Sequence, residues 1–291
     1  MHDLTIDEIT RGLRLDVFAG SQHPEVSRAY IQKMIEAEAL LVNEKPTKPG
    51  YKLRMGDIVS LPDISGDSAA TEPDVIDLPI LFEDADCVVM NKPIGLLTHA
   101  RGGEDREASV ASFLRQYVSG IDGQRAGIVH RLDRATSGVI IGAKNPEALA
   151  WLQKQFSQRK VKKTYRAITS GHFKQPEAIV DMPIERNPKA PATFRVGPNG
   201  KMALTHYKVI ETTDHLSSVE LKPETGRTHQ LRVHLQKLGH PIVGDILYGG
   251  NPADRLYLHA ESLEITLPSR ERAVFVAPVP VDFEELLAHD Q

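Results

Sequence analysis

The chain has 291 residues, of which 41% are hydrophobic and 25% charged, and its formal net charge is −4. These values are typical of a soluble globular protein with one large or two unequal domains. No run approaches the ~18 apolar residues of a membrane helix, and residues 1–5 lack the apolar segment of a secretory signal. The single cysteine, Cys87, lies in an apolar run and has no partner for an internal disulfide. We therefore expect a cytoplasmic protein with Cys87 buried in a strand.

Basic residues are concentrated in two segments, although the whole chain is acidic. Residues 148–176 and 186–210 contain no Asp or Glu but several lysines and arginines. Basic segments inside an acidic chain are typical of a local surface that binds a polyanion. A solvated basic face without a partner is the alternative.

The first 62 residues read as a short tail followed by a small unit. Residues 1–10 are expected to be a loosely attached tail, and residues 11–62 a small α/β unit. In that unit a helix opens at Arg14, and Ser27 offers the N-cap of a second helix whose apolar residues recur at helical spacing. Short strands follow at residues 40–43 and 58–61. Basic side chains, Arg14 and Arg28 among them, predict a docking face on a unit too small for an enzyme pocket.

Residues 63–78 are acidic and contain Ser, Gly and Pro. This composition predicts a linker. The remaining residues, 79–291, have the length of one domain.

The larger domain mixes strands and helices. Apolar runs at residues 80–82 and 87–90 predict strands, and the spacing of Val110, Phe113, Leu114 and Tyr117 predicts an amphipathic helix. Asn145-Pro146 predicts a helix N-terminus, with proline at the first helical position. Thr228 is expected to cap a helix that ends at Gly239. Strands at residues 255–259 and 263–267 and a final short helix at 283–287 complete the pattern.

A dense polar loop, residues 130–138, lies between two apolar runs that predict buried strands. Charged groups so close to a core are costly unless they are paired or functional. A carboxylate at Asp133 beside Arg131 and Arg134 should stay ionised, which suits a nucleophile or base. The alternative is an ordinary turn in which Asp133 bonds the backbone near Thr136 and Ser137.

Several kinds of site have no support in the sequence. His229 and His234 would lie on different faces of a helix, and no Cys or acidic residue has the ligand spacing of a metal site. The chain has no G-x-x-x-x-G-K loop, no G-x-S-x-G elbow and no G-x-G-x-x-G motif. The sequence thus predicts neither a metal nor a nucleotide cofactor.

Four segments of the larger domain together resemble the RluA-type pseudouridine synthases, a family that acts on RNA, including large-subunit ribosomal RNA. They are residues 81–96, with Asn91-Lys92-Pro93; the polar loop 130–138; Lys163-Thr164-Tyr165-Arg166-Ala167; and residues 225–249, with Gly226-Arg227-Thr228-His229-Gln230-Leu231-Arg232. Residues 11–62 are similar to a small RNA-binding domain of a ribosomal protein that often precedes this catalytic domain. Glu44 stands where a glycine usually follows the asparagine of that domain's turn.

The resemblance implies an α+β fold with a long, mostly antiparallel bent sheet flanked by helices, and no cofactor or metal. By motif match, Asp133 is the catalytic aspartate, Tyr165 lies against the target base, and Arg227 is the ion-pair partner of Asp133. Arg131 is expected to help displace the base.

The expected partner is RNA, most simply ribosomal RNA or a ribosome precursor. We expect the protein to be a monomer and to have no membrane partner. Besides Arg131, the residues expected to contact it are Arg14, Arg28, Lys160, Lys162 and Lys163. Two other functions fit the sequence less well. A non-catalytic RNA-binding or assembly factor would not need Asp133, Tyr165 and Arg227, and a glycosidic hydrolase would need a second carboxylate. Transfer RNA is the alternative substrate.

Overall fold

The computed structural model describes residues 2–23, 28–62, 76–99, 107–121 and 127–291, without the side chains of residues 28 and 29. The chain divides into two compact units. The smaller contains residues 1–75 and 100–108, and the larger contains residues 76–99 and 109–291. Ser27, most of the predicted linker and the side chain of Arg28 lie outside the described residues.

The smaller unit packs two helices on a three-stranded antiparallel sheet of order β1-β3-β2. Its core includes Leu15 and Phe18 of the first helix, Ile31 and Ile35 of the second, and Val59 of the sheet. The elements are β1 (His2–Thr5), α1 (Leu15–Gln22), α2 (Arg28–Glu36), β2 (Leu41–Val42) and β3 (Ile58–Leu61).

The prediction that residues 1–10 form a loosely attached tail is wrong. His2 to Thr5 pair with Leu61 to Ile58, and the side chain of Ile6 is 1% exposed. The physical reason is the alternation of Leu4 and Ile6 with polar residues, a strand period that places one face on the core. Residues 2–6 therefore belong to the small unit.

The turn after β2 keeps its geometry without a glycine. Asn43 and Glu44 both have positive φ, at 52° and 61°, and Val42 and Lys45 exchange backbone hydrogen bonds of 3.0 Å. Two successive left-handed residues form the turn that matches the twist of a hairpin. Glu44 adopts a conformation that glycine would occupy at lower cost.

The described residues of the larger unit form a nine-stranded sheet. Its order is β4-β5-β6-β13-β7-β12-β11-β8, with β14 paired to β13. Only the β6–β13 pairing is parallel among these strands. The strands are β4 (Ile80–Glu83), β5 (Cys87–Lys92), β6 (Ser137–Ala143), β7 (Lys162–Ser170), β8 (Glu177–Asp181), β11 (Leu204–Thr212), β12 (Leu216–Pro223), β13 (Leu258–Thr266) and β14 (Arg272–Val276), and a separate hairpin consists of β9 (Ile184–Arg186) and β10 (Phe194–Val196).

Helices cover this sheet and bury its apolar side chains. They are α3 (Val110–Leu114), α4 (Pro146–Ser157), α5 (Gln230–Leu238) and α6 (Val281–Ala288), with a 3-10 turn at Ile246–Tyr248. Ala148 and Leu152 of α4 pack against Ile141 and Leu263. The predicted α+β fold with a mostly antiparallel sheet is confirmed. No helix in the described ranges is long and apolar enough to cross a membrane.

Local signals placed two helix ends correctly. The Asn145 side chain accepts a hydrogen bond from the Ala148 N–H, as an N-cap should, and Gly239 ends α5 in the left-handed conformation. Buried Cys87 is likewise as predicted. Two expectations are wrong: α3 stops at Leu114 rather than Tyr117, and His229, not Thr228, precedes α5.

The prediction that the linker continues to residue 78 is wrong. Leu78 is 4% exposed, and Ile76 packs beside it on a core that contains Val88 and Met90. Because these apolar side chains are buried on the sheet, the larger unit begins at Ile76.

Candidate active site

The polar loop, residues 130–138, connects the core to β6 and is fixed by backbone contacts. The Leu132 carbonyl accepts a hydrogen bond from the Thr98 hydroxyl at 2.7 Å, and the Leu132 N–H donates to the same hydroxyl at 3.2 Å. The Thr136 N–H donates to the Asp133 carbonyl at 3.0 Å. The loop is thus a turn, and it presents the Asp133 side chain, 23% exposed, at its surface.

Lys92 supports this loop through hydrogen bonds to backbone carbonyls, a role that its motif did not predict. Its side chain is fully buried, and Nζ donates to the carbonyls of Pro93, Leu96 and Arg134 at 2.9, 2.9 and 3.3 Å. Burial lowers the pKa of Lys92 to about 8. The lysine therefore cross-links the turn after β5 to the loop that carries Asp133.

Asp133 lines a pocket of about 590 Å³. The polar loop, the end of α4, strand β7 and the turn between β12 and α5 form its walls. The predicted site residues among its lining are Arg131, Asp133, Lys163, Tyr165 and Arg227.

His130 forms part of the wall rather than of the chemistry. Its Nε2 accepts a hydrogen bond from the Ile141 N–H at 3.2 Å, and its ring stacks on Phe156 with centroids 4.5 Å apart. Burial lowers the pKa of His130 to about 3. At neutral pH the imidazole is therefore uncharged.

Two nitrogen donors face Asp133, and both approach the same carboxylate oxygen. His229 Nε2 is 3.8 Å and Arg232 Nη1 is 4.0 Å from Oδ2. Arg232 is 8% exposed and also forms a bidentate pair with buried Asp245, at 2.7 and 2.6 Å. Arg232 thus bridges two carboxylates.

The prediction that Arg227 pairs with Asp133 is wrong. Arg227 Nε donates to the Met202 carbonyl at 2.9 Å. Among the described residues, Arg232 forms an ion pair with Asp133 at 4.0 Å, whereas Arg227 forms none with it at that distance or less. The cause is the buried Gln230 side chain, whose oxygen accepts the Arg227 N–H at 3.0 Å and the Thr225 hydroxyl at 2.7 Å. This clamp turns Arg227 to the rim, whereas Arg232 lies on the inward face of α5.

Strand β7 brings Lys163 and Tyr165 into the pocket because residues two apart share one face. Burial and the nearby Asp133 raise the pKa of Tyr165, and its hydroxyl has no hydrogen-bond partner among the described residues. Burial lowers the pKa of Lys163 to about 8. The pocket that holds the carboxylate therefore also contains a ring with an unengaged hydroxyl and a lysine.

The remaining predicted RNA-contact residues lie elsewhere. Lys162 points to the opposite face of β7 and pairs with Glu264 at 3.3 Å, and exposed Lys160 is not part of the pocket wall. In the smaller unit, Arg14 donates two hydrogen bonds to buried Asp16, at 3.0 and 3.1 Å, while its side chain stays 47% exposed.

Reasoning from the sequence missed three residues of this site: Lys92, His229 and Arg232. Lys92 lies in the Asn91-Lys92-Pro93 motif, whose resemblance implies no role for the lysine. His229 was weighed only as a metal ligand. Arg232 was available on the inward face of the predicted helix, one turn beyond the expected cap, so helical periodicity could have identified it.

Residues 86–237 match the family described as RNA pseudouridylate synthase, and residues 13–59 match the S4 domain. Ribosomal large subunit pseudouridine synthase D of Escherichia coli strain K12 is 36% identical over 97% of this chain and 92% of its own length. The RNA pseudouridine synthase YhcT of Bacillus subtilis is 37% identical over 90% of this chain and 88% of its own.

The fold has solved counterparts. Human RNA pseudouridylate synthase domain containing 1 superposes with a TM-score of 0.61 at 32% identity, covering 70% of this chain and 84% of that one. Human RNA pseudouridylate synthase domain containing 4 gives a TM-score of 0.59 at 30% identity, over 72% of this chain and 92% of that one.

Proposed function

The chain belongs to the RNA pseudouridylate synthase family, and from that premise we propose that it converts specific uridines of large-subunit ribosomal RNA to pseudouridine. Relatives from Escherichia coli and Haemophilus influenzae carry the name ribosomal large subunit pseudouridine synthase D. The Escherichia coli relative aligns with 97% of this chain, so both units take part in the similarity. The observation that carries the proposal is the ionisable Asp133 in a pocket beside Tyr165.

The reaction is an isomerisation. The N1–C1′ glycosidic bond of uridine breaks, the uracil rotates, and a C5–C1′ bond forms. C5 then loses its proton and N1 gains one, so that no atom is added or removed overall. Because no water attacks and no leaving group departs, a single carboxylate suffices, unlike the pair that glycoside hydrolases use.

We assign the carboxylate to Asp133. As a nucleophile it would add to C1′, and as a base it would promote a glycal intermediate; the geometry is compatible with both routes. Arg232 supplies the opposite charge that stabilises the ionised form. Tyr165 offers its ring as a stacking face for the uracil.

The target base must leave its stack to enter the pocket, which costs a few kcal/mol. The pocket, about 590 Å³, is in the range of about 300–1,000 Å³ that small ligands occupy. Arg131 is exposed and lines the pocket, and we assign it to the position that the base vacates.

The RNA backbone would meet basic side chains around the pocket. Lys163 and Arg227 line it. Lys160 precedes β7 and Lys162 begins it, and both of these lysines are exposed. Arg14 and Arg28 belong to the unit that matches the S4 domain and would contribute phosphate contacts there. Such contacts make affinity fall with rising salt.

We further propose that the protein acts as a monomer in the cytoplasm. One chain supplies Asp133, Tyr165 and Arg232, so the pocket needs no residue from a second copy.

Pseudouridine mapping of total RNA from cells with and without the gene tests the substrate. We expect positions in large-subunit ribosomal RNA to lose the modification. Loss confined to transfer RNA would replace the substrate proposal, and no loss in either RNA would overturn the function.

The role of Asp133 is tested with Asp133→Asn in a single-turnover assay. We expect RNA binding within about threefold of wild type and no detectable pseudouridine, because the amide removes the charge but keeps the shape. Asp214→Asn is the matched control, since Asp214 is exposed in the turn between β11 and β12. An Asp133→Asn variant that still turns over would show that another group does the chemistry.

A further inference from the structure

His229 holds an unusual backbone conformation at the pocket. It precedes α5 with φ 56° and ψ 21°, in the left-handed region. Residues other than glycine seldom adopt this region, and such residues persist where their surroundings hold them, often at functional sites. Its ring packs edge-on against Phe194 and Tyr248, with both centroid distances at 5.6 Å.

The hydroxyl of Tyr248 determines which imidazole nitrogen carries the proton. Tyr248 Oη accepts a hydrogen bond from the Phe194 N–H at 3.0 Å and lies 2.7 Å from His229 Nδ1. Burial raises the pKa of Tyr248, so the hydroxyl keeps its proton. If Nδ1 also donated to this oxygen, the hydroxyl hydrogen would have no acceptor among the described residues. Tyr248 therefore donates to Nδ1, and the histidine proton is on Nε2.

The protonated Nε2 faces Oδ2 of Asp133 at 3.8 Å, and Arg232 Nη1 faces the same oxygen at 4.0 Å. These separations are longer than a hydrogen bond. Contacts of this kind are often long in a free enzyme and shorten when the substrate binds. Both contacts are to Oδ2 rather than to Oδ1.

We propose that His229 is a positioning residue that holds Oδ2 of Asp133 through its Nε2–H, so that Oδ1 is presented to C1′ of the target nucleotide. The Tyr248 hydroxyl fixes the required tautomer. The inference rests on the proposed role of Asp133 and adds two residues to it. The backbone N–H of Phe194 completes the chain, so the β9–β10 hairpin supports the carboxylate through Tyr248 and His229.

The histidine holds Oδ2 of Asp133 in its uncharged form. Burial lowers the pKa of His229, and the cations Arg232 and Arg131 lower it further, while the carboxylates of Asp133 and Asp245 oppose them. A charged imidazolium would carry protons on both nitrogens and would not need Tyr248. The neutral ring needs it, and this difference gives the test.

The test compares Tyr248→Phe with wild type in single-turnover assays from about pH 5.5 to 8.5. At the high end we expect a loss of about 10- to 100-fold, because the freed imidazole can turn a lone pair toward Asp133. The gap should narrow only as the pH falls toward the pKa of His229, which burial lowers, because protonation restores the Nε2–H. RNA affinity should match wild type throughout.

Tyr207→Phe is the matched control. Tyr207 and Tyr248 are both 8% exposed, and the Tyr207 hydroxyl donates to the Gln175 carbonyl at 3.3 Å, outside the pocket. This variant should stay within about twofold of wild type at every pH. A Tyr248→Phe variant with no loss at the high end of the pH range would overturn the proposal.

Substitutions of His229 supply a second measurement. The amide nitrogen of Gln reaches about as far as Nε2, whereas Asn is shorter but suits the left-handed backbone better. We expect His229→Gln to retain about tenfold more activity than His229→Asn. The His229→Asn variant should have the higher melting temperature. If Asn were the more active variant, His229 would serve the backbone and not Asp133. Turnover by Asp133→Asn would instead refute the proposed role of Asp133, which separates the two failures.

Discussion

Arg232 is held by two carboxylates and one ring. It pairs with Asp245 at 2.6 Å, faces Asp133 at 4.0 Å, and its guanidinium carbon lies 4.9 Å from the centre of the Tyr248 ring. Asp245 is 1% exposed, so it depends on this arginine for its charge balance. One side chain therefore serves both the stability of the fold and the orientation of the candidate nucleophile.

We predict that Arg232→Met and Arg227→Met differ sharply in stability. Removing Arg232 leaves buried Asp245 without its partner, which should lower the free energy of unfolding by about 3–5 kcal/mol. Removing Arg227 loses one hydrogen bond at the rim, worth about 1 kcal/mol. Urea unfolding followed by circular dichroism measures both. Equal losses would mean that Arg232 and Asp245 are not a buried pair in solution.

At the scale of elements, the junction of β6 and β13 fixes the end of the polar loop. Ser137 and Gly138 pair in parallel with His259 and Ala260. Arg255 donates to the Ser137 hydroxyl at 2.6 Å, and His259 Nδ1 lies 2.9 Å from it. Gly138 has φ +115°, and a Cβ there would overlap the backbone of Ala260. The strands approach this closely only because residue 138 has no side chain.

Gly138→Ala is therefore predicted to impair catalysis as well as stability. A methyl group would push β6 from β13 and shift the loop that carries Asp133, so we expect at least about a tenfold loss of kcat, since small misplacements of reacting groups are costly. Single-turnover rates and thermal unfolding measure the two effects.

The control is Gly239→Ala at the end of α5. Gly239 also has positive φ, but a Cβ added there would have no atom within 4 Å. Gly239→Ala should lower the free energy of unfolding by about 1 kcal/mol and leave the single-turnover rate unchanged. If the two variants had the same rate, the close approach at Gly138 would not control the loop.

At the scale of the whole molecule, charge is distributed to suit an anionic partner. The chain carries a net charge of −4, yet residues 148–176 and 186–210 have no acid. The pocket takes Arg159 and Lys163 from the first segment, and the second spans β10 and part of β11. Local charge rather than net charge therefore accounts for RNA as the partner.

We predict that removing residues 1–75 weakens RNA binding more than it slows the chemistry. The larger unit has its own cores and contains the complete pocket. Turnover of a short stem-loop should stay within about threefold, whereas affinity for long structured RNA should fall about tenfold or more, with a smaller dependence on salt as phosphate contacts are lost. Circular dichroism controls for folding. Equal losses on both substrates would show that the first unit takes part in the reaction itself.

Local patterns in the sequence determined much of this protein. Apolar spacing and capping residues located α4 and the end of α5, because helix signals lie within a few residues of one another. The motifs of a known family selected Asp133 and Tyr165, and the structure places both in one pocket. Where a weak local signal was overlooked, as in the strand at His2–Thr5, the prediction was wrong.

Only the tertiary structure decided which groups surround Asp133. Arg227 and Arg232 are five residues apart and chemically alike, but the Gln230 clamp directs one to the Met202 carbonyl and the other to the carboxylate. The burial of Lys92 and the tautomer of His229 likewise depend on carbonyls and hydroxyls from distant segments. Sequence periodicity specifies the face of an element, whereas a contact also requires the direction and register of every element that meets there.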